Sequence, residues 1–109
     1  MRQKNPDSLL IGWTTVGSEG AATELARQLV EGELAVCTQV DGPIRSFYRW
    51  ESAVCSDAEW RVAVKFLASR VAQLEAFIDR AHPYDIPEWV VVRPEHVAPK
   101  YLAWAMATK

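Results

Sequence analysis

Histidine and cysteine are scarce in this chain of 109 residues, with His82, His96, Cys37 and Cys55 the only copies. His82 opens the stretch HPYDIPEWVV and is followed by Asp85 and Glu88. An imidazole near two carboxylates is a donor set that copper or zinc accepts. Pro83 and Pro87 lock the backbone between those donors, which need not aim them at one ion. The same residues suit a helix-to-strand corner. Pro83 disfavours helical geometry at His82, so a helix must stop there. The His82 ring would then satisfy carbonyls at the helix end, where a partly positive ring is favoured. Tyr84 would pack, and Pro87 would enter a strand without losing a needed N–H. The stretch reads first as a corner and second as a ligand site.

Cys37 is the other metal candidate, although a cysteine in an apolar strand is most simply a small buried hydrophobe. No CxxC or HxxxH spacing exists, so a structural zinc site is not expected. A Cys37–Cys55 disulfide within one chain is excluded by reach, since a bridge needs Cα atoms within about 7 Å. Glu59 and Lys65 share strand parity, on the face opposite Trp60 and Val64. No serine, histidine and acid fall into a triad, and no catalytic residue is assigned.

Composition narrows the partners. Apolar residues make up 50% and charged residues 24%, which is ordinary for one globular domain. Twelve basic against 14 acidic side chains leave a net charge of -2, and no basic stripe suits a phosphate backbone. No apolar run is long enough to span a bilayer, and the start lacks a signal-like core. A cytoplasmic protein without nucleic-acid or membrane partners is expected. Residues 1–7 read as a loose tail and residues 8–109 as the domain.

The elements that must position these groups follow from periodicity. LLIGWTTV reads as a strand, and Ser18 can cap a helix carrying Ala22, Leu25, Ala26, Leu29 and Val30, closed by Gly32. LAVCTQVDGPIRSFYRWE is too long for an ordinary strand, so Asp41, Gly42 and Pro43 mark a bulge or bend within it. AEWRVAVKFL alternates strictly, which predicts a long hairpin turning near Glu51-Ser52 or near Ser56-Asp57. Ser69 can cap a second helix with Val71, Leu74, Ile78 and Ala81 on its buried face. EWVVVR is a strand, and a short helix after Pro99 carries Tyr101, Leu102, Trp104 and Ala105. The order predicts an α+β, ferredoxin-like βαββαβ sandwich with a C-terminal helix. One sheet face is left uncovered by helices. With five tryptophans in so short a chain, some are expected in a subunit interface.

LAVC (Leu34 to Cys37), Ile44-x-Ser46-x-Tyr48-x-Trp50, Glu59, Lys65, HPYD (His82 to Asp85), Pro87-Glu88 and YLAW (Tyr101 to Trp104) stand in one order. With these motifs the chain resembles the CutA family of divalent-cation tolerance proteins, from about Leu10 to Trp104. The resemblance implies a homotrimer similar in plan to the PII signalling proteins, with Tyr48, Trp50 and Trp104 at the subunit interface. It implies copper or another divalent cation as ligand, with Cys37 and His82 as candidates that symmetry could gather from several copies. It also implies an intersubunit cleft lined by Trp50, Glu59, Lys65, His82 and Tyr84, whose charges otherwise form a structural ion pair securing the trimer. The runner-up reading is a PII-like signalling or scaffold trimer holding a small anionic ligand in that cleft. The chain departs from the family pattern at Gln39, Gly42-Pro43, Ser52, Phe66 and Asp85.

Overall fold

The computed structural model describes residues 7–108. The elements run β1 (Leu9–Val16), α1 (Glu19–Glu31), β2 (Cys37–Trp50), β3 (Ala53–Leu67), a 3-10 turn (Ala68–Arg70), α2 (Val71–Ala81), β4 (Val90–Val92) and α3 (Pro99–Ala107). The sheet order is β2-β3-β1-β4, with every neighbouring pair antiparallel. This is the expected ferredoxin-like arrangement, each helix crossing over between strands that are not neighbours.

Strict alternation in β3 decides which face is buried. Val62, Val64 and Phe66 are fully buried and pack with Leu10 and Val16 of β1 against Leu25 and Leu29 of α1 and Leu74 and Ile78 of α2. Each such side chain contributes roughly 1.5–3 kcal/mol on burial. Gly12 of β1 faces the same layer, and the indole of Trp89 lies directly on it. Trp89 is held there beside Phe66 at a 5.9 Å centroid distance and by a 2.9 Å bond from its Nε1 to Glu75 of α2.

Helix ends depart from the sequence reading in instructive ways. Ser18 caps α1, its hydroxyl accepting the Ala21 N–H at 3.1 Å. Gly32 is the C-terminal cap but has φ -82°, and the left-handed residue is Glu33 at φ 62°. Ser69 does not cap α2. A 3-10 turn intervenes, and Ser69 instead gives both its hydroxyl and its N–H to the Asp7 carboxylate, a charged acceptor, whereas a helix start offers only N–H donors. Asp7 is thereby anchored, while residues 1–6 of the expected tail lie outside the described residues. On α2, Leu74 and Ile78 are buried, but Ala81 is exposed at the last turn.

The long strand continues through Asp41–Ile44 as a bulge, as the sequence predicts. Gly42 is required there, with φ 153° and the Trp60 ring 2.6 Å from where a Cβ would stand. The hairpin turns at Glu51-Ser52, both at positive φ, which settles the choice between the two turns. Strand β4 is shorter than expected, pairing only with Ile11–Trp13. Helix α3 starts on Pro99, where a missing N–H breaks no bond.

Candidate functional site

The face of the sheet turned away from α1 and α2 carries the odd-numbered residues of β1 and β3, because their even neighbours fill the core. By register, Cys37, Gln39 and Asp41 of β2 lie on that face, and beyond the bulge so do Ile44, Ser46, Tyr48 and Trp50. It is not entirely uncovered. Tyr101 of α3 reaches it, its hydroxyl 3.3 Å from the Lys65 ammonium, which also sits 5.3 Å from the ring centre. Trp104 stacks beside Tyr101 at 5.4 Å.

The corner at the end of α2 forms a second cluster. His82 is only 7% exposed. Its Nε2 lies 2.9 Å from the Thr15 carbonyl, and its Nδ1 lies 3.1 Å from the Tyr84 N–H. A carbonyl only accepts and an amide N–H only donates, so Nε2 carries the proton and Nδ1 supplies a lone pair. The ring is therefore neutral, and its partner is a strand carbonyl rather than a helix end, which corrects the expectation of a partly positive helix-capping ring. Thr15 stands two residues beyond Trp13, the last residue of β1 that β4 pairs, so the imidazole takes the place of a missing strand partner. Burial lowers the His82 pKa, and the Thr15 bond and the Glu59 charge oppose that only in part.

Tyr84 continues the cluster. Its ring meets the His82 ring edge-on at 4.9 Å, and its hydroxyl donates to Glu59 at 2.9 Å. Burial, reinforced by the Glu59 carboxylate, pushes the phenol up to about 12. Two residues along β3, Asp57 accepts from the Tyr48 hydroxyl, and that bond chiefly raises the Tyr48 phenol to about 12. Two phenol–carboxylate pairs thus sit side by side on one strand face.

The five residues of the expected cleft do not meet within one protomer. Glu59, Tyr84 and His82 converge at the corner, whereas Lys65 lies six positions along β3, roughly 20 Å away. Within one protomer Glu59 and Lys65 do not pair among the described residues, and each contacts a tyrosine, which leaves an ion pair between subunits open to both. Trp50 is at the hairpin tip, paired with Ala53, again roughly 20 Å from Glu59 along the ribbon. Cys37 is half-buried rather than buried, opposite Lys65, four positions along β3 from Arg61, the partner of Thr15. That offset is about 13 Å, too far for Cys37 and His82 to share an ion in one chain. Both ring nitrogens of His82 are engaged, Asp85 and Glu88 are exposed, and no group of three donors gathers among the described residues. One protomer does not fit a divalent cation by itself.

Three participants escaped sequence reasoning. Asp57 shares parity with Glu59, so strand alternation already pointed to it. Tyr101 and the Thr15 carbonyl gave no such signal, since both contacts depend on how α3 and β4 meet the sheet.

A family model described as CutA1 divalent ion tolerance protein matches residues 10–108. Mouse protein CutA is 33% identical over 99 residues, covering 91% of this chain but 56% of that protein. The chain therefore spans little more than half the length of that relative. The divalent-cation tolerance protein CutA of Thermus thermophilus is 34% identical over 90 residues, covering 83% of this chain and 87% of the relative. Among solved structures, CutA of Synechococcus elongatus superposes with a TM-score of 0.88 at 31% identity, covering 97% of this chain and 93% of that one.

Proposed function

Because the chain belongs to the CutA1 family of divalent ion tolerance proteins, we propose that it serves divalent-cation tolerance as a homotrimer whose copies together bind copper. The observation that carries the assembly is the hairpin. Strand β1 pairs β3 only over Trp60–Leu67, so the strands beyond form a two-stranded ribbon with no third strand beside it among the described residues. The molecule is accordingly 56 Å long but only 27 and 26 Å across. An isolated two-stranded ribbon is marginal in water. This one is apolar on both faces, with Tyr48 and Trp50 on one and Phe47 and Val54, 70% and 68% exposed, on the other. Exposed apolar surface of that kind calls for a protein partner.

A second copy suits both needs. The outer edge of β2 offers unpaired backbone groups to another strand, and a ribbon docking on a different surface of its neighbour makes a heterologous contact, which gives a finite assembly only by closing into a ring. Trp104, also exposed, lies on the open face such a ring would cover. For the metal, Cys37 is a soft donor that remains once His82 is engaged elsewhere, as is Cys55, and the half-buried place of Cys37 on that face supports a site drawing thiolates from more than one copy.

Native mass spectrometry of untagged, chelator-stripped protein, with and without copper, tests both parts. A trimer taking up a fixed number of copper ions, lost in Cys37→Ser, is expected. A monomer at micromolar concentration would sink the assembly. A trimer that stays bare of copper would sink the metal part and leave the assembly standing.

A further inference from the structure

His82 is bound on both sides in a way that only one protonation state permits. The Tyr84 N–H points at Nδ1, and the Thr15 carbonyl faces Nε2. Adding a proton at Nδ1 would set two hydrogens against each other across 3.1 Å, and the bond that folds the chain back after α2 would be lost. The consequence spreads past one amide. Tyr84 is the next aromatic residue, stacked edge-on to the imidazole, and its hydroxyl holds Glu59 on β3. Corner, strand β1 and strand β3 are therefore joined through a single ring.

We propose that His82 is a proton-operated latch: neutral, it holds residues 83–89 against β1 and β3, and protonated, it releases them and frees the Glu59 carboxylate. The charged groups around it are few. Strand β1 presents only the Thr15 carbonyl, since LLIGWTTV contains no titratable side chain. Strand β3 presents Glu59 through Tyr84, with Asp57 and Arg61 at neighbouring odd positions. The last turn of α2 carries Asp79 and Arg80, and the corner carries Asp85 and Glu88, all exposed. None of them hydrogen-bonds the ring among the described residues, and the Glu59 charge favours the protonated form only in part. Burial in fact holds the ring below its ordinary value. For a histidine lowered in this way, the stabilisation is complete above about 6.5 and is lost as pH falls through the folded-state value. The latch is closed at neutral pH and opens on acidification.

Hydrogen exchange followed by NMR between pH 7.5 and 5.0, corrected for intrinsic rates, reads the latch directly. The Tyr84 amide is expected to lose protection by up to about tenfold per pH unit as pH falls from about 6.5 to the folded-state value, and to level off below it, while the core amide of Val64 keeps its own. His82→Asn places a non-titrating carbonyl oxygen where Nδ1 accepts, and should abolish that pH dependence. Equal loss at Tyr84 and Val64, or the same loss in His82→Asn, would overturn the proposal. Should that variant fail to fold, imidazole nitrogen shifts of the wild-type protein decide, with exposed His96 as internal reference. A neutral ring protonated at Nε2, titrating together with the Tyr84 amide, is expected. The opposite tautomer, or a titration that leaves Tyr84 unmoved, would refute it.

Discussion

Gly12→Ala should drive the Trp89 indole off the sheet and weaken the whole corner region. A methyl at Gly12 would lie 2.3, 2.7 and 2.8 Å from three carbons of that ring, against the 3.5 Å or so of ordinary carbon contact. The ring must therefore retreat by about 1 Å. It is poorly placed to do so, since Phe66 flanks it at 5.9 Å and Glu75 holds its Nε1 at 2.9 Å. Overpacking of this kind costs about 1–3 kcal/mol. Losing a glycine from the unfolded chain returns about 0.4–1 kcal/mol, which leaves a net destabilisation of about 1–2 kcal/mol. In a domain near this size that corresponds to a fall in Tm of several degrees, about 4–8 °C per kcal/mol. Urea unfolding at one fixed protein concentration, followed by tryptophan fluorescence and near-UV circular dichroism, measures it without confounding from association. In a Trp89→Leu background the clash disappears, so the alanine should be tolerated and the two substitutions should couple by more than about 0.5 kcal/mol. Gly12→Ala with full stability and an unchanged near-UV spectrum would show that the indole does not rest on that glycine, and the seating argument would fail.

Trp50→Ala should shift the proposed trimer toward smaller species on dilution; a variant that stays trimeric at nanomolar concentration removes Trp50 from the interface. Ser52→Gly should stabilise the hairpin by about 1 kcal/mol, because Ser52 holds φ 70° at the turn where a left-handed conformation strains any side chain; an unchanged urea midpoint would argue against that strain. In an ultraviolet pH titration two of the three tyrosines should ionise near 12, and Asp57→Asn should return Tyr48 toward 10, since the carboxylate stabilises the neutral phenol. A Tyr48 titration indifferent to Asp57 contradicts the pairing. Asp7→Ala should cost about 1–2 kcal/mol by freeing the Ser69 hydroxyl and N–H, and equal stability by thermal melting would show the tether to be idle.

Alternation and helical spacing are local properties, and they determined most of the architecture. Val62, Val64 and Phe66 set the buried face of β3 by parity alone, and Pro83 ended α2 at His82 by steric restriction within the chain. Gly42-Pro43 marked the bulge for the same reason, since proline has no N–H to give the ladder. Residue type also located the candidate groups, because few side chains here can bind a metal or a charge. Partnership was another matter. That Ser69 answers Asp7 rather than α2, that Lys65 meets Tyr101 rather than Glu59, and that His82 meets a β1 carbonyl all depend on distances across the fold. The short β4 leaves Thr15 without a strand neighbour on the side away from β3, and only the three-dimensional path of the chain after α2 brings an imidazole there. The ring's tautomer, and with it the ring's charge, was decided at that moment by which donor and which acceptor the fold set on either side.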